Sequence, residues 1–393
     1  MNITKLETRM IGLGFRNCIV VEVHTDAGIV GYGETVLKRR SKTVEQNIHE
    51  LGRYLLGKDP LRIEDHHEKM YRDSFWVGGP LHGSAISAID VALWDIKGKA
   101  HNAPIYKLLG GPTRDRIPVY CHCPAGDSPP EFAANLLRCK EWGYFAAKTT
   151  LPLFYGGRTP AADEGYSGAR GTISATWRET EWLPTNTFER IAEFFMAGRE
   201  AVGCDFEIAV DCHGRLSPAD AIQLCENLAP YKLMFIEEPT PPEDPAALRE
   251  VTSRSVTRIA AGERLASIYE VRPFLEARAL ALLQVDLANC GGITAGKKIA
   301  ALAESHYVSL CPHNPNGPLA TAAAVQLLSA IPNCFMLEMI GSPEDLELHH
   351  RMAPNALQVE NGYLKLPTLP GLGVEPAAGC EKEFPYQPFE GWR

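Results

Sequence analysis

The chain has 393 residues, 45% of them hydrophobic, with 39 Lys and Arg against 48 Asp and Glu for a net charge of −9. That length exceeds one ordinary domain and predicts two. A mildly acidic chain without basic runs excludes nucleic acid and anionic membrane as partners, and no stretch reaches the roughly 20 apolar residues of a membrane helix.

The first residues, Met1 to Arg9, lack the apolar core of a signal peptide. An odd number of scattered cysteines, 11 in all, predicts free thiols in a reducing cytoplasm. Asn17 to Thr25 and Ile29 to Glu34 flank the turn-forming Asp26-Ala-Gly28 and predict a hairpin. Helical patterns follow at 42–56, 63–72 and 85–100, the last with Ile86, Ile89, Leu93, Trp94, Ile96 and Ala100 near helical spacing. Asn102-Ala-Pro104 breaks that helix, and Leu108-Leu-Gly-Gly-Pro112 marks a domain boundary. From Ile117 strands and helices alternate, which predicts a parallel sheet. Eight strand candidates lie between Ile117 and Glu338, enough to close a barrel. Helices are expected at 130–142, 187–202, 218–228, 245–252, 269–277, 294–305 and 318–331. Residues 152–184 are rich in Gly, Thr, Ser and Arg with no period, and a loop of that length is expected to be functional or mobile. A second hairpin is expected at 357–366, in a tail that returns to the N-terminal domain. The division is therefore 1–115, a barrel at 116–355, and a tail at 356–393.

Acids and histidines recur at the ends of the barrel strands. Asp211, Glu237, Glu263, Asp286, His313 and Glu338 are separated by 26, 26, 23, 27 and 25 residues. Each interval is the length of a strand, a helix and two short loops. Residues at the C-terminal ends of barrel strands converge on one mouth, where such barrels carry their active sites. Asp211, Glu237 and Glu263 then share one divalent cation, and an all-oxygen set suits Mg²⁺ better than zinc. The adjacent Glu238 faces away by strand alternation and is read as structural. The base is sought among nearby imidazoles. Asp286 next to His313 makes a dyad, because a carboxylate on the far nitrogen fixes the tautomer and raises basicity. His213, two residues past Asp211, lies on the other side of the metal. Cys121-His122-Cys123 has no second Cys/His pair at zinc spacing, so its cysteines are read as buried strand residues.

Further stretches carry a family resemblance. They are Ser87-Ala-Ile-Asp-Val-Ala-Leu-Trp-Asp-Ile-Lys-Gly-Lys-Ala100, Tyr106-Lys-Leu-Leu-Gly-Gly111, Val210-Asp-Cys-His-Gly-Arg215, Phe235-Ile-Glu-Glu-Pro239 and Ala261-Gly-Glu-Arg-Leu265. Asn289-Cys-Gly-Gly-Ile-Thr294, Pro312-His-Asn-Pro315 and Pro370-Gly-Leu-Gly-Val-Glu375 complete the set. With these the chain resembles the enolase superfamily, in which a Lys or His base works beside Mg²⁺. Within it the likeness is to the mandelate racemase subgroup and its galactonate- and mannonate-type acid-sugar dehydratases. The resemblance implies a (β/α)₇β barrel under an α+β capping domain built from both chain ends. It implies Asp211, Glu237 and Glu263 as metal ligands, Asp286 and His313 as a dyad, Glu338 as a further active-site carboxylate, and a homo-oligomer, dimer to octamer.

One departure shapes the functional expectation. Racemases of this subgroup carry Lys-x-Lys at the end of the second barrel strand; here the segment is Lys148-Thr149-Thr150. Lys148 matches the lysine that touches the substrate carboxylate, but Thr150 is no base near neutral pH. A racemase needs two bases, a dehydratase one base and one acid, and His313 with protonated His213 supplies the latter pair. The expected activity is dehydration of a sugar acid such as galactonate, mannonate or gluconate to a 2-keto-3-deoxy acid, with a racemase, epimerase or cycloisomerase as the alternative within the family and a non-catalytic binding protein outside it. The strand-end His122 resembles the mannonate type and is a candidate substrate contact. So are Arg16 and Trp76 in cap loops expected to close over the mouth, with Tyr155, Arg158 and Arg170 as weaker candidates in a segment that is either a lid or an oligomer contact.

Overall fold

The computed structural model describes residues 1–14, 16–73, 75–154 and 186–388. Three antiparallel strands, β1 (Ile3–Gly12), β2 (Asn17–Thr25) and β3 (Val30–Thr35), form one sheet in that order. Only the last two were expected. β1 is an edge strand that mixes Thr4, Lys5, Glu7 and Arg9 with its apolar residues, so its alternation is weak. Helices α1 (Ser41–Leu55), α2 (Ile63–Arg72), α3 (Pro80–Ala100) and α4 (Ile105–Leu108) follow. α3 lies buried between the sheet and the second domain. It packs so close to β3 that a Cβ on Gly33 would sit 1.9 Å from the Ala88 carbonyl oxygen, which only glycine permits.

The second domain runs β4 (Arg116–His122), α5 (Pro129–Glu141), β5 (Ala146–Thr150), α6 (Thr187–Val202), β6 (Glu207–Asp211), α7 (Pro218–Leu228), β7 (Ile236–Glu237) and α8 (Pro245–Arg254). It continues β8 (Ile259–Ala261), α9 (Ile268–Glu276), β9 (Leu282–Leu283), α10 (Gly292–Glu304), β10 (Ser309–Leu310), α11 (Pro318–Leu328) and β11 (Leu337–Met339). Strands β4 to β10 pair parallel in chain order, β11 returns to pair with β4, and a parallel bridge from Leu310 to Cys334 closes the ring. This is the expected (β/α)₇β barrel. Its helices start where the sequence caps them. Ser217-Pro218, Asp244-Pro245 and, after β11, Ser342-Pro343 each place an oxygen on a free helical N–H and a proline in the first turn.

The tail divides. After α12 (Pro343–Met352), β12 (Val359–Glu360) and β13 (Tyr363–Lys365) form the expected hairpin, which joins the barrel through antiparallel pairing of β13 with β4. Beyond it the chain reaches the first domain. Leu372 N–H donates to Asp95, Gly12 N–H to the Phe384 carbonyl beside α13 (Cys380–Glu383), and Gln387 N–H to Asn17. Two further bolts join cap to barrel. Ser87 and Asp90 of α3 accept the N–H groups of Gly291, Gly292 and Thr294 at the start of α10. Glu34 of β3 accepts those of Gly317 and Leu319 at the start of α11.

The barrel interior is plugged by one residue from each strand or its edge. Tyr120, Ala146, Ala209, Phe235, Ala260, Leu282, Cys311 and Met336 form one buried apolar cluster.

Candidate active site

Two residues beyond each plug residue, strand alternation brings the next inward side chain to the barrel mouth. Those positions are His122, Lys148, Asp211, Glu237, Gly262, Gln284, His313 and Glu338. Seven of the eight are polar or ionisable. The exception explains Glu263. Gly262 takes the inward place with φ +130°, and a Cβ there would meet Leu283 Cδ1 at 2.9 Å and Gln284 N at 3.2 Å. The chain turns at this glycine, and the next residue delivers the carboxylate. Asp286 follows Gln284 on the same side, one step higher.

Asp211, Glu237 and Glu263 each offer a carboxylate oxygen, and these oxygens lie within 4.8 Å of one another. The other such acidic group among the described residues, Glu7, Glu22 and His24, is partly exposed on the cap and engages Lys5 and Arg9. In the mouth, Glu237 Oε2 accepts from Lys148 Nζ at 2.8 Å and from Gln284 Nε2 at 2.8 Å. Its other oxygen, Oε1, is buried with no hydrogen-bond partner. A buried orphan oxygen in an all-oxygen donor set is what a hard divalent cation satisfies, so the triad fits a divalent metal site. Burial, followed by the repulsion of Asp211, pushes the Glu237 carboxyl well above its usual value, against the pull of Lys148. A dication in the triad would reverse that balance.

Lys148 is enclosed by acids: Nζ lies 2.8 Å from Glu237, 2.9 Å from Glu338 and 3.7 Å from Asp211. Burial alone would lower its pKa, but the three carboxylates outweigh it and hold the ammonium well above the ordinary lysine range. Glu338 also accepts from the His122 ring and from Asn314 N–H. Burial opposes its ionisation, yet Lys148, His313 and His122 keep the carboxyl well below the usual range.

His313 Nδ1 donates to Asp286 Oδ2 at 2.8 Å, and its Nε2 faces Glu263 at 3.1 Å. Burial lowers the imidazole's pKa, but Glu263, Glu338 and Asp286 raise it further, to about 10. His213 Nε2 sits 2.8 Å from Asp211 Oδ2, on a backbone with φ +52°. Left-handed backbone is uncommon for a non-glycine residue and clusters at functional sites. Glu238 turns away, as alternation requires. It is paired with Arg264, whose Nε is 2.7 Å distant, and burial ahead of Glu263 lifts its carboxyl to about 7.

Several site neighbours escape a motif reading. Gln284 could have been found, since it stands two residues before Asp286 on one strand. Asn314, inside the Pro312-His-Asn-Pro315 stretch, and Asn316 meet Glu338 and Asp286 from a loop that has no strand or helix period, so no pattern announces those contacts. Of the cap candidates, Arg16 donates to the Pro315 carbonyl, beside the His313 loop. Trp76 is 83% exposed and meets Phe75 edge-to-face at 5.2 Å. Cys121 and Cys123 are buried on the outer face of β4, opposite to His122. Tyr155, Arg158 and Arg170 lie outside the described residues.

Comparison with known proteins agrees with the geometry. The mandelate racemase/muconate lactonizing enzyme N-terminal domain family matches residues 6–110, and the enolase C-terminal domain-like family matches 161–379. The D-galactonate dehydratase of Klebsiella pneumoniae is 38% identical over 95% of this chain and 92% of its own length, and that of Cronobacter sakazakii 37% over the same shares. A member of the enolase superfamily from Salmonella Typhimurium superposes with a TM-score of 0.87 at 29% identity, covering 98% of each chain. An enolase from Agrobacterium radiobacter, solved with sodium and L-malate bound, gives 0.85 at 32%, over 100% of this chain and 97% of that one. The chain belongs to the mandelate racemase/muconate lactonizing enzyme family of the enolase superfamily. It is an enzyme of the hydro-lyase class.

Proposed function

We propose that the chain is a Mg²⁺-dependent dehydratase of an aldonate such as galactonate, mannonate or gluconate, yielding a 2-keto-3-deoxy acid. The observation that carries this reading is the convergence of three carboxylates, within 4.8 Å of one another, beside a hydrogen-bonded His313–Asp286 pair. Asp211, Glu237 and Glu263 would hold the ion. Bound there, Mg²⁺ would acidify the proton next to a coordinated carboxylate by stabilising the second negative charge of the deprotonated form. Lys148, held by Glu237 and Glu338, presents a cation to the substrate carboxylate. With a cation on the triad offsetting the Glu263 charge that otherwise keeps the ring protonated, His313 would take the α-proton on Nε2, with Asp286 fixing its tautomer through Nδ1. His213, protonated, donates to the departing 3-hydroxyl, and the enol so formed tautomerises to the keto acid. Thr150 pairs in register with Asp211, so no second lysine base reaches that side and elimination is favoured over racemisation. Glu338 and His122 line the mouth for substrate hydroxyls, and Arg16 and Trp76 would select substrate as the cap closes.

On this reading residues 116–355 perform the chemistry and 1–115 select the substrate, with the tail at 356–393 divided between the barrel, through its hairpin on β4, and the cap. The enzyme works as a homo-oligomer in the cytoplasm, a compartment in keeping with its 11 unpaired cysteines. Incubation with a panel of aldonic and aldaric acids and Mg²⁺, read with semicarbazide for 2-keto products, tests it. A keto product from one or a few aldonates is expected. Deuterium exchange at the α-carbon without elimination across the whole panel would turn the reading toward a racemase or epimerase.

A further inference from the structure

The segment from Asn314 to Gly317 is used from both sides. From the cap, Arg16 donates to the Pro315 carbonyl and Glu34 accepts the Gly317 N–H. Toward the mouth, Asn314 gives its backbone N–H to Glu338 Oε2 at 3.1 Å and its side-chain amide to the Glu338 carbonyl at 3.1 Å. Asn316 turns the opposite way. Its Nδ2 lies 2.9 Å from Asp286 Oδ1 and 3.0 Å from Asp286 Oδ2, and the residue is only 2% exposed. Asp286 thus receives three donors from three places: Ala288 N–H on Oδ1 at 2.8 Å, His313 Nδ1 on Oδ2 at 2.8 Å, and the Asn316 amide across both oxygens. The terminal torsion of a carboxylate is broad and roughly two-fold, and without Asn316 each oxygen of Asp286 would keep one donor only, Ala288 N–H or His313 Nδ1, leaving its plane free to tilt. A buried amide spanning both oxygens removes that freedom.

We propose that Asn316 is the positioning residue of the His313–Asp286 pair. It locks the plane of the Asp286 carboxylate, and through it the direction of His313 Nε2. The loop that bears it is fastened to the cap by Glu34 and Arg16, so the aim of the base is set from the cap side as well as from the barrel. The inference rests on the proposed reading of His313 as the base.

The test compares wild type with Asn316→Leu, which keeps the side-chain volume and removes the donor, and with Asn316→Asp, which sets a second carboxylate against Asp286. In Asn316→Leu, kcat and solvent-deuterium exchange at the α-carbon are expected to fall together by roughly 10- to 100-fold. KM and the calorimetric Mg²⁺ affinity stay near wild type, and Asn316→Asp loses more. Crystals of either variant are expected to show Asp286 turned away from His313 Nδ1. Unchanged kcat, or a loss matched by an equal loss of Mg²⁺ affinity, overturns the proposal. If wild type turns over no acid of the panel, the functional reading has failed, and the crystals decide the positioning role alone. Asp286 still within hydrogen-bond reach of His313 in both variants then overturns it. If Asn316→Leu does not fold, Asn316→Asp carries the same measurements.

Discussion

The floor and the mouth of this barrel lie two residues apart on the same eight strands. At the floor Ala146, Ala209, Phe235, Leu282 and Met336 close an apolar plug; at the mouth Lys148, Asp211, Glu237, Gln284 and Glu338 occupy the next inward positions. One layer repays its burial by excluding water and filling volume. The other buries charge, which is tolerated only because each carboxylate meets a cation, a donor or the place for a metal. The plug also serves the mouth. Without water below, the fields around Lys148 and Glu237 act in a low dielectric and are stronger for it.

The contrast is sharpest in the predicted effects of substitution. Glu237→Gln should lower kcat/KM by about 10³-fold or more, with Mg²⁺ binding lost by calorimetry and folding intact. Retained Mg²⁺ affinity would remove Glu237 from the ligand set. His313→Asn should cut α-proton exchange by about 10² to 10⁴-fold while Mg²⁺ still binds; exchange that survives would move the base elsewhere. Phe235→Ala, on the floor, should do the reverse. It opens a cavity worth about 3–5 kcal/mol of stability, read by denaturant unfolding, with a loss of kcat per folded molecule far smaller than that of either mouth variant.

Acid stability provides a smaller effect, at the His349 ring, which hydrogen-bonds the Asn316 backbone from outside the two layers. His349 on α12 is buried, and burial drives its pKa down to about 4. The unfolded chain therefore binds the proton first, and stability is lost as pH falls from about 6.5 toward 4, by up to about 3 kcal/mol. His349→Phe should flatten that limb of the unfolding midpoint against pH; an unchanged limb would assign the acid sensitivity to other groups. Smallest is Trp76→Ala, whose exposed site predicts a stability change within about 0.5 kcal/mol. A rise in KM at constant kcat would place Trp76 over the substrate, and an unchanged KM would strike it from the binding set.

Much of this was legible along the chain. The recurrence of acids and histidines every 23 to 27 residues showed the barrel, its mouth and the triad at once, since chain length per strand–helix unit is a local property. The Asp286–His313 pair and the outward turn of Glu238 followed from strand order and side-chain alternation. What the sequence could not show depends on long-range contact. β1 carries a mixed pattern because it is an edge strand, and the hairpin of β12 and β13 could be read as a hairpin but not assigned to β4. Glu263 keeps the 26-residue spacing yet reaches the metal triad only through the turn at Gly262, which packing against Leu283 and Gln284 requires. Glu34, Asn314 and Asn316 belong to no periodic pattern. Glu34 meets Gly317 and Leu319 only once the cap and α11 have come together, and Asn314 and Asn316 meet Glu338 and Asp286 only once the barrel has closed, because such bonds are decided by the folded arrangement and not by the local chain.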